Sequence, residues 1–255
     1  MRANPIRQIW QDGGWVLNAW CAIPSPFAAE VMANLGWDSV TVDMQHGVND
    51  YQSAVGMFQA ISTTQAAPMA RVPWNDPAIV MKMLDAGAYG LICPLVNSAE
   101  EAERFAGACR YPPRGYRSSG PIRAMIYGGA DYFDHADDTI VTFAMIETTD
   151  ALANLDAILA VDEIDAVYIG PSDLSLSLGC KPGLDRTETV VVEAIETILA
   201  AAKRHGKRAG IQCNDTGYAR RMVESGFDLV TVMSDQRLMA AAGNKVVADM
   251  REGGG

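Results

Sequence analysis

The chain has 255 residues, of which 49% are hydrophobic, so it can bury the core of one α/β barrel or of two small domains. Its formal net charge of −11 provides no basic face for phosphodiesters, which argues against nucleic acid as a partner. No charged leader precedes an apolar core, and no apolar run approaches the roughly 18 residues of a membrane span, so we expect a cytoplasmic protein without a membrane partner.

Strand-like and helix-like segments alternate along the first half of the chain. A short amphipathic helix is predicted at residues 4–14, ahead of the first strand. Each of the next four strands is apolar and β-branched, and each is followed by a periodic helix. These four pairs are predicted at 16–23 and 25–36, 39–44 and 50–62, 67–72 and 76–87, and 90–96 and 98–110.

A long connection at residues 112–138 interrupts the alternation. It is rich in Pro, Gly, Arg and Tyr, and connections of this length usually serve a site or an interface. The alternation then resumes with four more strands and four more helices, and the three terminal glycines are expected to form a flexible end. The strands are predicted at 139–146, 165–170, 208–213 and 228–233, and the helices at 150–161, 187–206, 217–226 and 235–250.

Eight such units in 255 residues predict an α/β fold of the (β/α)8 TIM barrel type, in preference to a doubly wound sheet. We expect residues 1–255 to form a single barrel domain with an additional N-terminal helix. No GxGxxG or GxxxxGKS/T motif follows a predicted strand, which argues further against a nucleotide-binding sheet. The cysteines have no CxxC spacing and support neither a disulfide framework nor a zinc knuckle. Three are expected to be buried thiols in strands, namely Cys21, Cys93 and Cys213.

In such a barrel the chemistry takes place at the C-terminal ends of the strands, so the residues that end each apolar run are candidates for the site. Two carboxylates, an imidazole, a guanidinium and a helix start converge on this rim, a set that can hold a metal ion, an anion and a proton donor. The alternative for each single residue is that it is polar only because strand ends are exposed to solvent. The strand ends carry Trp20, Asp43, Gln45, His46, Arg71, Cys93, Pro94, Glu147, the GPSD segment at 170–173, Asn214, Ser234 and Asp235.

The residues missing from this rim narrow the chemistry. None of the lysines ends a strand, which argues against a Schiff-base aldolase. Of the three histidines only His46 lies at a strand end, so a zinc site built from three imidazoles is not expected. Glu147 and Asp173 on adjacent strands suit a hard divalent cation, Mg²⁺ or Mn²⁺. The alternative is that both carboxylates only cap helices.

Three further residues have candidate roles. Ser172, in the GPSD segment, offers a backbone N–H group at a helix start to a substrate carboxylate. Arg71 could bind the oxygen that becomes negative in a transition state, or it could form a rim salt bridge. His46 could transfer a proton near neutral pH if a carboxylate orients it, or it could be structural.

Several long motifs, in order along the chain, resemble the HpcH/HpaI family of metal-dependent, class II pyruvate aldolases. They are DMQHG, ARVPWNDPAIVMKMLDAGAYGLICPLV, YPPRGYRSSGP, IET and GPSDLSLSLG, and the resemblance covers nearly the whole chain. It implies that His46 transfers protons, that Arg71 stabilises the enolate oxygen, and that Ser172 binds the substrate carboxylate. It also implies that Glu147 and Asp173 hold Mg²⁺ or Mn²⁺, with Co²⁺ as a further candidate.

The resemblance also assigns a residue that spacing alone does not select. Asp85, near the end of a predicted helix, would raise the basicity of His46 from a neighbouring subunit. The family implies homotrimers or homohexamers with exchanged terminal helices, whereas the alternative is that segment 235–250 packs on its own barrel. One departure stands out, because many members have Gln two residues before the metal-binding Glu and this chain has Met145. That change puts the preference between donor substrates in doubt.

Together these features predict a carbon–carbon lyase. The reaction would be the reversible aldol cleavage of 4-hydroxy-2-oxo acids to pyruvate or hydroxypyruvate and an aldehyde, so its partners are small molecules. Asp43 would take part in catalysis, together with His46, Arg71 and Asp85. The residues expected to bind the substrate are Trp20, Gln45, Gly170, Pro171 and Ser172.

Two rival functions stay open at this point. The first is an acyl-CoA ester lyase of the malyl- or citramalyl-CoA type, which would also use a Mg²⁺ ion held by two carboxylates. Arg114, Arg117 and Arg123 in the long connection could then contact the CoA phosphates. The second is a non-catalytic barrel that serves as a binding or scaffold protein, in which a divalent ion would change neither pyruvate affinity nor substrate cleavage.

Overall fold

The computed structural model describes residues 1–252, so the glycines predicted to be a flexible end lie outside the described residues. Eight parallel strands form a closed barrel in sequence order, and the last pairs with the first to complete it. The predicted (β/α)8 barrel is therefore confirmed. The strands are β1 (Val16–Cys21), β2 (Ser39–Asp43), β3 (Ala67–Arg71), β4 (Gly90–Cys93), β5 (Val141–Ile146), β6 (Ala166–Ile169), β7 (Arg208–Cys213) and β8 (Leu229–Val232).

Helices connect the strands and cover most of the outer face of the barrel. Many begin at a side-chain cap, as predicted from their Ser, Thr and Asp residues; Asp50, for example, forms a reciprocal capping box with Ser53. The helices are α1 (Pro5–Gln11), α2 (Pro26–Ala33), α3 (Tyr51–Ile61), α4 (Pro77–Asp85), α5 (Ala99–Cys109), α6 (Ile122–Gly128), α7 (Tyr132–Thr139), α8 (Thr149–Ala153), α9 (Leu155–Leu159), α10 (Pro171–Ser177), α11 (Thr189–Arg204), α12 (Thr216–Ser225) and α13 (Asp235–Glu252).

Two apolar cores stabilise the barrel. The larger lies between the strands and the surrounding helices, and the smaller fills the barrel interior. The strands are buried on both faces, so β5 is mostly apolar, whereas β2 alternates apolar residues with the buried polar residues Ser39 and Thr41. The predicted N-terminal helix α1 closes the end of the barrel opposite the site: Trp10 packs edge-on against Phe143, with ring centroids 5.9 Å apart, and its Nε1 donates to the carbonyl of Asp228.

Two parts of the chain differ from the sequence-based expectation. The connection at 112–138 contains α6 and most of α7, which are seven and eight residues long. Helices this short, separated by only three residues, give no clear periodic pattern, which is why they were not predicted. The predicted helix at 150–161 is divided into α8 and α9 at Asn154, which ends one helix and begins the next.

The buried thiols are confirmed. Cys21, Cys93 and Cys213 are fully buried in strands, and burial raises the pKa of each thiol, so all three are protonated and unreactive at neutral pH. None is paired in a disulfide. No helix within residues 1–252 is long and apolar enough to cross a membrane.

Candidate active site

A cavity of about 210 Å³ opens at the C-terminal ends of the strands, where the sequence places the site. The structure therefore brings together most of the candidate residues, although they come from strands far apart in the chain. The predicted residues that line the cavity are Trp20, His46, Arg71, Gly170, Pro171, Ser172, Asp173 and Ser234.

Asp43 lies beneath the cavity and holds Arg71 in place. Arg71 Nε and Nη2 donate to the two carboxylate oxygens of Asp43 at 2.9 and 2.6 Å, and Trp20 Nε1 donates to the same carboxylate at 3.2 Å. Although burial opposes ionisation, the hydrogen bonds and charge of Arg71 lower the pKa of Asp43 below its usual value. Arg71 Nη1 has no partner among the described residues, so it is free to bind a substrate oxygen.

The loop after β2 presents His46 at the cavity. Asp43 Oδ1 accepts hydrogen bonds from the backbone N–H groups of Gln45 and His46, at 3.1 and 3.3 Å. Asn49 Nδ2 donates to the carbonyl oxygens of Cys21 and Asp43, which joins this loop to the end of β1. The backbone of His46 is therefore fixed while its imidazole stays exposed to the cavity.

Gly47 is required for this tight loop. A Cβ atom at this position would overlap the carbonyl oxygen of Asp43 and the side chain of Asn49. Sequence reasoning identified His46 but missed both Gly47 and Asn49. The signal was present, because Gly and Asn are the residue types that short, tightly wound loops favour.

Glu147 is buried at the end of β5, with 1% of its surface exposed. Its Oε1 accepts a hydrogen bond of 2.9 Å from the backbone N–H of Leu95, which follows β4. Leu95 has a φ of +53°, in the left-handed region that a leucine seldom adopts, so local backbone strain aims this N–H group at the carboxylate. Burial, with a further contribution from the nearby charge of Asp173, raises the pKa of Glu147 to about 7.

Glu147 and Asp173 fit the requirements of a divalent cation. Glu147 makes no ion pair with a basic side chain of the described residues, and a bound cation would supply the positive charge that favours its ionised form. Gly170 leaves space beside the carboxylate, since a Cβ atom there would overlap Glu147 Oε2 and Met145 Cε. Within residues 1–252 no group of three or more His, Cys, Asp or Glu side chains could hold a metal ion, so a site here would rest on this carboxylate pair.

The GPSD segment starts α10 at the rim of the cavity. The first hydrogen bond within this helix runs from Leu174 N to Gly170 O, so the N–H groups of Ser172 and Asp173 precede the intrahelical pattern. Pro171 occupies the first helical position, where the missing N–H is tolerated. Asp173 lies in the first turn and faces the cavity, but it does not cap α10, whose N-cap is Gly170 without a side-chain cap hydrogen bond. Thr148, and not Glu147, caps α8, so the alternative that both carboxylates are only helix caps is wrong.

Besides Asp43 and Glu147, two more predicted site residues lie outside the cavity wall. Gln45 turns inward, and its Oε1 atom is buried without a hydrogen-bond partner among the described residues. Asp85, at the end of α4, accepts a hydrogen bond of 2.8 Å from Arg117 of the same chain and is partly exposed. The structure does not bring Asp85 to His46 within one chain, and its action from a neighbouring subunit stays a prediction.

Several residues that line the cavity were not identified from the sequence as substrate-binding. Tyr168 and Gln212 project inward from β6 and β7, Leu184 belongs to the loop after α10, and Met233 and Arg237 follow β8. Their positions near strand ends were the available signal, but Tyr168 and Gln212 lie within predicted strands. The direction in which a strand residue points in a closed barrel depends on register, which sequence reasoning did not supply.

Comparison with known proteins extends over nearly the whole chain. A family model described as HpcH/HpaI aldolase/citrate lyase matches residues 17–242. A hydroxypyruvate/pyruvate aldolase of Rhizorhabdus wittichii is 45% identical over 248 residues, which cover 97% of this chain and 99% of the relative. A 5-keto-4-deoxy-D-glucarate aldolase of Klebsiella pneumoniae is 35% identical over 232 residues, 90% of each chain.

A solved structure has the same barrel. A crystal structure of an HpcH/HpaI aldolase/citrate lyase family protein from Burkholderia cenocepacia matches with a TM-score of 0.90 and 30% sequence identity. The match covers 98% of this chain and 100% of that chain. The similarity therefore includes every strand end that contributes to the cavity.

Proposed function

The chain belongs to the HpcH/HpaI aldolase/citrate lyase family and is an aldolase, and we propose that it reversibly cleaves 4-hydroxy-2-oxo acids to pyruvate or hydroxypyruvate and an aldehyde. The observation that carries this proposal is the meeting of three kinds of group around one cavity. Asp173 lines the same cavity as the Arg71 guanidinium and the exposed imidazole of His46, and the buried Glu147 carboxyl group lies close enough for the charge of Asp173 to raise its pKa.

Glu147 and Asp173 would hold the divalent cation, Mg²⁺ or Mn²⁺, with Co²⁺ as a further candidate. Such an ion, when bound, acts as a Lewis acid that polarises the keto group of a 2-oxo acid. Two protein carboxylates would leave several coordination positions open, which suits a chelating substrate and water. Two features support this assignment. Glu147 is buried and makes no ion pair with a basic side chain of the described residues, and both carboxyl groups offer the hard oxygen donors that such ions prefer.

The protein side chains would have separate tasks in the reaction. Arg71 Nη1 would donate to the keto oxygen and stabilise the negative charge that develops there, an effect often worth several kcal/mol. The N–H group of Ser172 would bind the substrate carboxylate. His46 would remove the proton from the C4 hydroxyl group as the C3–C4 bond breaks, and return it during condensation. Asp43 would act by fixing both Arg71 and the His46 loop.

An assay of both reaction directions tests this function. Pyruvate and hydroxypyruvate are each incubated with a panel of aldehydes, and the corresponding hydroxy-oxo acids are tested for cleavage, with added Mg²⁺, Mn²⁺ or Co²⁺ and with a chelator. We expect turnover that the chelator abolishes and that added metal restores. Turnover that survives complete removal of metal would contradict the metal role, and no turnover in any pairing would contradict the function.

The acyl-CoA rival is not favoured. The relatives compared above are named as aldolases, and the three arginines that could contact CoA phosphates have other partners. Arg114 pairs with Glu163 and Asp138, while Arg117 is buried, with 1% of its surface exposed. Arg123 donates to the carbonyl of Ala86 and to a serine hydroxyl group. A malyl-CoA assay with the same preparation would detect this activity if it existed.

We also propose that the protein assembles into a homotrimer or homohexamer through exchanged C-terminal helices. Of the residues of α13, only Asp235 at its start is buried. Met239, Val246 and Met250 are exposed, at 63%, 61% and 77% of their surface. A helix with this much apolar surface is a candidate for contact with another copy.

The barrel itself offers the complementary surface. A groove of about 310 Å³ runs along the outer face of β1 and β8 beside α12, where the helix after the eighth strand would normally pack. Its apolar lining includes Trp15, Leu17, Val223 and Val230. The groove and the exposed helix face support an exchange between subunits, which would also allow Asp85 to approach His46 of a neighbour. The cytoplasmic location stays a prediction.

A further inference from the structure

A chain of hydrogen-bonded polar side chains runs through the barrel interior beneath the active-site cavity. Five of its members have no exposed surface, and the sixth forms part of the cavity wall. Polar groups inside an otherwise apolar barrel are destabilising unless their donors and acceptors are paired, so the pattern of pairing is informative. In order, the members are Ser39 and Thr41, Asn18, Thr231, Tyr168 and Gln212.

The buried end of this chain fixes the direction of its hydrogen bonds. Ser39 Oγ and Thr41 Oγ1 lie 2.8 and 3.0 Å from Asn18 Oδ1 and donate to it. Asn18 Nδ2 donates in turn to Thr231 Oγ1 at 2.8 Å. Turning the Asn18 amide round would leave the protons of two buried hydroxyl groups without an acceptor among the described residues. We therefore infer this direction, because it gives both hydroxyl protons an acceptor.

The same direction continues to the cavity. The Tyr168 hydroxyl oxygen, 2.8 Å away, is the one hydrogen-bond acceptor that the described residues offer to Thr231 Oγ1, so the single Thr231 proton goes to it. Tyr168 then donates its own proton to Gln212 Oε1, also at 2.8 Å. Gln212 is consequently held by its oxygen, which leaves both protons of Nε2 for the cavity that the side chain lines.

We propose that Gln212 is a specificity-determining residue, whose Nε2 donates a hydrogen bond to an uncharged hydroxyl group of the substrate. The hydroxyl group is carried either by a 3-hydroxy-2-oxo acid or by a 2-hydroxyaldehyde. This inference rests on the proposed function and narrows its substrate class. Tyr168 is a positioning residue, because it acts by holding Gln212 Oε1.

The surroundings of Gln212 explain why such a donor selects between substrates. Met145, Leu184 and Met233 contribute apolar surface to the same small cavity. A substrate without the hydroxyl group would displace water from Nε2 and provide no acceptor in exchange. Sites that are built to hydrogen-bond a substrate hydroxyl group reject analogues without one for this reason.

The test compares substrates that differ only in the hydroxyl group. Hydroxypyruvate is compared with pyruvate at a fixed aldehyde, and glycolaldehyde with acetaldehyde at a fixed 2-oxo acid. The enzymes are the wild type, Gln212→Met, Tyr168→Phe, and the control Gln8→Met, which changes an exposed residue of α1 at the opposite end of the barrel. Methionine matches the length of glutamine and removes the donor, and Gln212→Leu serves if Gln212→Met does not fold.

We expect Gln212→Met to lower the kcat/KM ratio of hydroxylated to non-hydroxylated substrate by roughly ten- to hundredfold in one of the two comparisons. If the ratio changes for hydroxypyruvate and pyruvate, the 2-oxo acid carries the hydroxyl group that Gln212 binds; if it changes for glycolaldehyde and acetaldehyde, the aldehyde carries it. Tyr168→Phe should lower the same ratio by a smaller factor, whereas a purely structural defect would lower kcat/KM for all substrates equally. Gln8→Met should keep the wild-type ratio.

The outcomes separate this inference from the function on which it rests. If the wild type turns over these substrates but both ratios stay unchanged in the Gln212 variant, the role of Gln212 is wrong and the aldolase function stands. If the wild type turns over no pairing with any of the three metals, the proposed function itself is wrong.

Discussion

Arg71 and Asp43 form a two-point ion pair between neighbouring strands, with contacts of 2.9 and 2.6 Å. The two residues face each other in the register of β2 and β3, so the pairing of the strands determines the geometry of the ion pair. The guanidinium also lies over the Trp20 ring, 4.9 Å from its centroid. Two hydrogen bonds to Asp43 and the contact with the Trp20 ring therefore hold the Arg71 guanidinium, and its remaining nitrogen, Nη1, is left for the cavity.

Removing the negative charge of Asp43 should disturb catalysis without removing any group that touches the substrate. In Asp43→Asn the amide cannot accept both guanidinium hydrogen bonds, so we expect kcat to fall about 10²-fold, the loss typical of a displaced transition-state donor. Steady-state kinetics measure the change, and Asp134→Asn, on the exposed surface of α7, is the matched control. Wild-type kcat in Asp43→Asn would contradict the positioning role.

Substitution of Gly170 should disable the carboxylate site by steric overlap alone. Its φ of −99° is open to any residue, so Gly170→Ala strains no backbone, but the added methyl group would overlap Glu147 Oε2. We expect a folded protein with at least tenfold weaker Mn²⁺ binding by calorimetry. Gly120→Ala is the control, because a Cβ atom there meets nothing within 4 Å. Equal Mn²⁺ affinity in both variants would refute the assignment.

The sequence predicted the fold well because strand identity and barrel closure follow from repeated local patterns. The eight apolar runs correspond to β1 through β8, with ends that differ by at most a few residues. His46, Arg71 and Asp173 line the cavity because strand ends in a parallel barrel necessarily meet at one rim. Glu147 lies just beneath it.

What the sequence could not supply was side-chain direction and pairing. Gln45 and His46 are neighbours in one loop, but only His46 lines the cavity, and the loop that presents it is held by hydrogen bonds of Asp43 and Asn49. The role of Gln212 likewise depends on partners more than 15 residues away in the chain. Such contacts are set by barrel register and packing, and no local pattern encodes them.

Glu147→Gln should stabilise the protein in the absence of metal. A carboxyl group whose pKa is raised on folding binds its proton more tightly in the folded state, so stability falls as pH rises from about 4.5 to about 7. Above that range the loss is on the order of 3 kcal/mol at most. Glutamine keeps an oxygen for Leu95 and cannot ionise. The variant should therefore melt several degrees above the wild type at pH 8 and at the same temperature at pH 4.

Added Mn²⁺ provides the internal control for this stability effect. The ion should raise the melting temperature of the metal-free wild type at pH 8, because a ligand that binds only the folded state stabilises it. It should raise the melting temperature of Glu147→Gln much less. Differential scanning calorimetry measures both. A melting temperature of Glu147→Gln at or below that of the wild type at pH 8 would mean that the buried carboxylate is already compensated by another group.

His46→Ala should separate proton transfer from metal binding. His46 lies on the opposite side of the barrel mouth from Glu147, and its side chain makes no hydrogen bond to another described residue. We expect aldol turnover to fall by about 10²- to 10⁴-fold with Mn²⁺ affinity unchanged. His135→Ala, which alters an exposed histidine of α7, should leave both quantities unchanged. Retained turnover in His46→Ala would remove the residue from its proposed role.

The exposed face of α13 should be required for assembly. Val246 and Met250 are one helical turn apart and 61% and 77% exposed, so they form a continuous apolar stripe. In Val246→Lys/Met250→Lys the helix keeps its propensity, because lysine is a good helix former and suits the last turn, but the apolar contact is lost. We expect monomers by analytical ultracentrifugation and a large loss of turnover, since Asp85 could no longer approach His46 of a neighbour.

Val190→Lys, on the exposed face of α11, is the control and should retain the oligomer. An intact oligomer in the double variant would show that the groove beside β1 and β8 is not occupied by this helix.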